Sequence, residues 1–190
     1  MLELGRRTRP APYGMTGAFR PVIPRDLRLE VPERTSAEGE VLTPLDVAAV
    51  RAASRALKAK GCEAVVVHFL HAHAHPAHER GAGEILAEDW PEAAITLGHR
   101  VLSEPREFER GVTAAVNAAA RPLIGRYLAR LEAALAARGF RRGLLVMNGN
   151  GGMVPAAAAA AEAAKTVMTG PASGVMAAAH TGRRAGRADL

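Results

Sequence analysis

The chain has 190 residues, of which 48% are apolar, 23% charged and 4% aromatic, and a formal charge of +6. That length holds one compact domain or two small lobes, and the composition is that of a globular protein whose core is built from Ala, Val and Leu. The basic residues are dispersed, densest at Arg6, Arg7 and Arg9, at Arg141 and Arg142, and at Arg183, Arg184 and Arg187; with no aromatic interleaving, zinc-finger or RNA-recognition pattern, they exclude an expected nucleic-acid partner.

Taken in chain order, MLELGRRTRP carries charges where a signal peptide needs an apolar centre. Pro10, Pro12, Pro21, Pro24 and Pro32 keep residues 1–34 irregular and extended. Within them Leu27-Arg28-Leu29-Glu30-Val31 alternates as a half-buried strand does. Thr43 as N-cap and Pro44 at the first helical position predict a helix that runs through Val47, Val50, Ala53 and Leu57 and stops near Gly61. The lone Cys62 excludes an intramolecular disulfide, fits a reducing compartment and reads as a buried thiol. Ala64 to Leu70 reads as a strand covered on both faces, Ala77 to Glu88 after Pro76 as a helix, and Ala94 to Leu97 as a second strand, a spacing that implies a parallel α/β arrangement.

Residues 106–138 predict a long helix broken near Pro122, with Leu123, Tyr127, Leu131 and Leu135 at core spacing. Glu107 and Glu109, two apart on it, point in different directions and read as surface charges. Gly143 to Met147 is the next buried strand, followed by a turn, an alanine helix, a short strand at Thr166 to Met168 and a helix from Pro171. Arg187 to Leu190 has the look of a further strand just begun. Glu162 and Lys165 interrupt the alanine tract before it reaches the ~20 residues of a membrane span, so no membrane contact is expected and the chain reads as cytoplasmic. The change from short α/β units to a long helix near residue 103 marks a boundary.

Three stretches carry candidate chemistry. His68, His71, His73, His75 and His78, with Glu79 adjacent, lie between a strand and a helix. Imidazoles at that density read as a polar loop with structural members, as a ligand-binding or catalytic group, or as a metal site. An extended HAHAH alternates faces and so does not converge on one ion, and no HExxH pattern is present; no intrinsic metal site is expected. Asn148-Gly149-Asn150-Gly151-Gly152 follows a strand, where open α/β sheets place ligands and where glycines let backbone amides approach an anion; the other reading is a sharp turn. Thr169-Gly170-Pro171-Ala172-Ser173-Gly174-Val175 opens a helix with small residues, which suit tight packing or a close ligand.

In this order the segments LELGRRTRP, LRLEVPERTSAEGEVLTPLD, EAVVVHFLHAHAHPAHE, REFERGVTAAVNAAARPLIGRYLARLE, LLVMNGNGG and TGPASGV resemble the hydantoinase A/oxoprolinase family. The resemblance implies a partial actin-like ATPase fold (Hsp70- and sugar-kinase-like), an incomplete mixed or parallel sheet with flanking helices. It divides the chain into the tail of the N-terminal region, 1–95, and the start of the hydantoinase A domain, 96–190. It implies an ATP- and Mg²⁺-dependent parent enzyme that opens a cyclic amide, a hydantoin or 5-oxoproline, or activates a ketone, beside a hydantoinase B-type subunit or domain.

His71, His78 and Glu79 match the family pattern as candidate catalytic residues. Asn148, Asn150, Gly151, Gly152, Gly170, Ser173 and Gly174 match as candidate nucleotide- or substrate-binding residues, although the family's usual Met-Gln-Ser-Asn-Gly-Gly stands here as Met147 to Gly152 with two replacements. Neither of the acidic, glycine-rich Asp-x-Gly-Gly-Thr loops that hold ATP phosphates in that superfamily is present. The resemblance sets one before Met1 and one beyond Leu190, making the chain an internal fragment that binds no ATP tightly and is inactive alone. A partner-docking half-domain and a histidine-rich metal-binding protein are the alternatives.

Overall fold

The computed structural model describes residues 21–187. The group at Arg6, Arg7 and Arg9, the prolines at 10 and 12, and all but Arg187 of the strand expected at Arg187 to Leu190 lie outside them. The chain divides into two compact units, up to Ala119 and from Ala120. Among the described residues it is a mixed α/β structure with three separate two-stranded sheets, rather than one sheet.

In the first unit, β1 (Arg34–Thr35) and β2 (Val41–Thr43) form an antiparallel pair. Because Thr43 belongs to β2, it does not cap the following helix. Asp46 does: its carboxylate accepts from the Ala49 amide at 2.9 Å, and α1 spans Val47–Ala59. The helix ends as Gly61 predicts. Gly61 has φ +75°, and the Gly61 and Cys62 amides donate back to the Lys58 and Leu57 carbonyls. β3 (Ala64–Val67), α2 (Ala77–Asp89) and β4 (Ala94–Leu97) form the expected parallel crossover, Ala64 opposite Ala94 and Val67 opposite Leu97. β3 is shorter than the apolar run suggested, because the strand ends at Val67 and the chain turns at Leu70 to Ala74. Val50, Val65, Val67, Ala82, Leu86 and Trp90 make the core, with Cys62 half-buried at its edge. Arg51 on α1 pairs with Glu88 and Asp89, fixing the two helices side by side.

Leu27–Val31 is not a strand: a 3₁₀ turn covers Arg25–Leu27, and the residues after it belong to no sheet among the described residues. A short α3 (Gly98–Val101), not expected, follows β4 directly. α4 (Glu107–Ala137) begins in the first unit and ends in the second, running unbroken through Pro122.

In the second unit the buried face of α4 keeps two of the four expected positions, Leu131 and Leu135, which are half-buried. Leu128 and Ile124 pack against Ala156 and Ala159, whereas Leu123 and Tyr127 are exposed. Ile124, Leu128, Leu131 and Leu135 are four, three and four residues apart, the helical repeat that a strict four-residue spacing from Leu123 drifts away from. β5 (Leu145–Met147) turns back through residues 148–152 into an antiparallel β6 (Met153–Pro155). It is a hairpin, not a buried parallel strand, and Leu145 is exposed. α5 (Ala156–Ala161) is the alanine helix, a 3₁₀ turn at Ala163–Thr166 displaces the strand expected there, and α6 (Thr169–Arg184) starts two residues before Pro171. No described helix is long and apolar enough to cross a membrane.

Candidate functional site

Parallel strands in open α/β sheets present their carboxyl ends to ligands. β3 and β4 end side by side, and the group assembled there centres on Glu79. On α2, Glu79 heads the stripe continued by Ala82, Gly83 and Leu86, at helical spacing, so the helix that buries its apolar face also buries this carboxylate. Gly83 permits the close approach: a Cβ there would lie 2.9 Å from Leu97 Cδ2.

Glu79 has no exposed surface. Its Oε1 accepts from the Phe69 amide, just beyond β3, at 2.9 Å. Its Oε2 accepts from the His99 amide, just beyond β4, at 2.9 Å, and contacts His99 Nδ1 at 2.7 Å. With Nδ1 committed to the carboxylate, Nε2 is the imidazole nitrogen left to meet a ligand. The arrangement is that of a carboxylate which fixes the tautomer and orientation of a histidine base. Gly98 is where three groups crowd in: a Cβ there would lie 3.0 Å from His68 Nδ1, 3.2 Å from Glu79 Oε1 and 3.4 Å from the Val67 carbonyl.

Arg110, fully buried on α4, donates to the Phe69 carbonyl at 2.9 Å and the Glu104 carbonyl at 2.8 Å, with Glu107 at 3.8 Å. Glu107 is thus part of this neighbourhood and not a free surface charge. Burial raises its carboxyl, but backbone hydrogen bonds, Arg110 and His71 outweigh that and hold it below the usual range. Burial, reinforced by Arg110, keeps the His68 imidazole below its ordinary value, with Glu79 and Glu107 opposing in part.

The histidine stretch does not converge. His78 Nδ1 turns to Glu33 at 2.7 Å and Thr35 at 3.3 Å, away from the Glu79–His99 pair. His75 reaches the Ala37 carbonyl at 3.0 Å, and His71 sits in the left-handed region at φ 57°. Among the described residues no three His, Cys, Asp or Glu side chains gather where one metal ion could be held. Of the three candidate catalytic residues, Glu79 stands at the centre of the strand-end group with His99, which sequence reasoning missed, and His71 reaches its edge through Glu107. The signal was available: His99 lies just past the end of β4, as Asn148 lies just past the strand before it.

In the second unit, Asn148, Asn150, Gly151 and Gly152 form the β5–β6 turn. Four of its amides are already used: Asn148 to the Gly152 carbonyl, Gly149 to Lys165, Gly151 to Asn148 and Gly152 to Asn150 Oδ1. Amides so committed do not make a phosphate cradle. Ser173 donates to the Thr169 carbonyl at 2.6 Å and lies 2.8 Å from Met147 Sδ, while Gly170 and Gly174 have open space where a Cβ would stand, not tight packing.

The description "Hydantoinase/oxoprolinase N-terminal region" matches residues 1–90 and "Hydantoinase/oxoprolinase" matches residues 110–190. The chain is 33% identical over 181 residues to an uncharacterized protein of Methanocaldococcus jannaschii (95% of this chain, 27% of that one). It is 31% identical over 152 residues to the caprolactamase subunit alpha of Pseudomonas jessenii (80% and 22%) and 32% identical over 171 residues to the acetophenone carboxylase gamma subunit of Aromatoleum aromaticum (87% and 23%). The crystal structure of the ATP-dependent caprolactamase from Pseudomonas jessenii superimposes with a TM-score of 0.81 at 28% identity, covering 97% of this chain and 27% of that one. The chain spans about a quarter of the length of the curated relatives it matches. Two matches that between them take in most of the chain, in the family's order, establish that it belongs to the hydantoinase/oxoprolinase family.

Proposed function

We propose that this chain is part of an ATP-dependent enzyme with an actin-like ATPase fold that acts on the carbonyl of a cyclic amide, a hydantoin or 5-oxoproline, and that His99, held by Glu79, is its acid–base group in this segment. The observation that carries the reading is the buried Glu79 carboxylate at 2.7 Å from His99 Nδ1, beyond the ends of two parallel strands. A histidine oriented in this way takes a proton at Nε2 from an attacking water and returns it to the departing amide nitrogen, so one group serves both halves of ring opening. Burial of Glu79 keeps the imidazole in one orientation throughout.

ATP supplies the driving force in such an enzyme, but the residues of this chain do not fit a nucleotide site. The amides of the 148–152 turn are engaged internally, and no Asp-x-Gly-Gly-Thr loop occurs in the sequence. No nucleotide step is therefore assigned to it, and Mg²⁺ and the phosphates belong to other parts of the enzyme. Relatives named as subunits support a partner polypeptide, for which a hydantoinase B-type subunit is our choice.

The test is ADP release. The purified chain should release none above background, with or without amide. Assembled with the phosphate-loop segments and a hydantoinase B-type subunit, it should release ADP in proportion to added hydantoin or 5-oxoproline. Turnover by the chain alone, or amide-independent turnover in the assembly, contradicts the proposal.

A second reading, a half-domain that docks to another chain, draws on Val167, Met168, Val175 and Met176 in the second unit, all about half exposed or more. It predicts that the purified chain self-associates at micromolar concentration in light scattering.

A further inference from the structure

The sequence holds three asparagines, Asn117, Asn148 and Asn150, and no glutamine. Asn117 precedes an alanine and is buried within α4, whereas Asn148 and Asn150 each precede a glycine in the β5–β6 turn. An asparagine followed by glycine is open to attack by its own main chain. The next backbone nitrogen reaches the side-chain carbonyl carbon and closes a five-membered succinimide ring, and glycine has no side chain to obstruct it. The two pairs are two residues apart, yet the hairpin gives them different surroundings.

Asn150 is exposed. Its Oδ1 accepts from the Gly152 amide at 3.0 Å. As the Gly151 nitrogen adds to Cγ, negative charge gathers on Oδ1, and a donor already aimed at that oxygen stabilises it. Gly151 sits in the left-handed region at φ +83°, and its amide donates to the Asn148 carbonyl at 2.9 Å. A hydrogen bond inside an exposed turn opens at little cost, which frees the nitrogen to react.

Asn148 has none of these advantages. Its Oδ1 is buried and has no hydrogen-bond partner, so charge developing there would be neither solvated nor paired. The nitrogen that would attack, that of Gly149, donates to the Lys165 carbonyl at 2.7 Å. The space beside Gly149 is filled by backbone, since a Cβ there would lie 2.3 Å from the Val167 carbonyl oxygen. Ring closure needs the main chain to rotate at this point, and the 3₁₀ turn packed against it leaves no room.

We propose that Asn150–Gly151 is a site of covalent self-modification, deamidation through a succinimide, and that the fold shields Asn148–Gly149 from the same reaction. The Gly151 nitrogen gives up its proton and bonds to Asn150 Cγ. The bond from Cγ to the side-chain nitrogen breaks, and that nitrogen takes up the proton and leaves as ammonia. One water then opens the ring, at one carbonyl to give aspartate at position 150 and at the other to give isoaspartate. Either product replaces a neutral amide with a carboxylate, changing the charge of the turn. Isoaspartate also adds one carbon to the main chain inside the bond from the Asn148 amide to the Gly152 carbonyl, at 2.7 Å, that closes the hairpin.

The test incubates the 190-residue chain at mildly alkaline pH, folded and in guanidinium, and follows ammonia together with the mass of the peptides that carry each asparagine. Folded, the chain should gain one mass unit at Asn150 and release the matching ammonia, while Asn148 reacts about tenfold or more slowly. Unfolded, the two should react at comparable rates, because the sequence around each is alike. This comparison needs no variant. Asn150→Gln should stop ammonia release from the folded chain, and Asn148→Gln should leave it unchanged. Equal rates at the two positions in the folded chain, or slowing of Asn150 as strong as that of Asn148, would overturn the proposal.

Discussion

Glu79 binds His99 twice, through its amide at 2.9 Å and through Nδ1 at 2.7 Å, while its other oxygen holds the Phe69 amide. One buried carboxylate therefore closes the ends of both β3 and β4. Glu79→Gln puts an amide NH₂ where an acceptor is needed and removes the charge that strengthens these bonds. We expect a loss of about 2–4 kcal/mol in urea unfolding, since a buried donor left without its acceptor bears its full desolvation cost.

Acid should destabilise the first unit through His68. Its imidazole is held below the ordinary value of 6.5 in the native state by burial, so the unfolded chain takes up a proton there before the native chain does. Stability from this residue is fully present above about pH 6.5, falls as the pH is lowered from there, and levels off below the native value. His68→Gln removes the contribution. Urea midpoints measured between pH 8 and pH 5 should fall less steeply for the variant; parallel curves would show that His68 is not a neutral buried group.

Glycines in the second unit should respond in opposite directions. A Cβ on Gly149 would stand 2.3 Å from the Val167 carbonyl, a backbone atom that cannot swing aside, and the Gly149 amide is tied to Lys165. Gly149→Ala should cost roughly 2 kcal/mol or more, as overpacking against rigid groups does. Gly174, inside α6, has nothing within 4 Å, so Gly174→Ala should stabilise by about 0.5–1 kcal/mol through helix propensity and reduced chain entropy. Thermal melts of the two variants separate these effects.

What the sequence made legible follows from how local each signal is. β4 was readable to the residue and α2 to within one, because apolar run, proline and crossover spacing agree there. The start of α1 was misplaced because Thr43-Pro44 and Asp46 are both good starts, and only the pairing of Val41–Thr43 with Arg34–Thr35 decides between them. Leu27–Val31 alternates like a strand but has no partner among the described residues, and pairing is a property of two segments. Glu79 was legible as a candidate, but its partner was not. The histidines beside it in sequence are directed to Glu33 and Ala37, and the one that meets it comes from twenty residues away, through the parallel register of β3 with β4.

In the proposed reaction His99, oriented by Glu79, performs the proton transfers of an ATP-dependent ring opening. The most direct measurement is the amide-dependent rate of ADP release by the assembled enzyme carrying His99→Gln, which keeps a polar side chain but no titratable nitrogen. We predict that kcat falls by about 10²–10⁴, the usual contribution of a positioned acid–base group, while KM for ATP is unchanged. An assembled His99→Gln enzyme with the wild-type rate would contradict the account and leave the Glu79–His99 pair as a structural clasp between two strand ends.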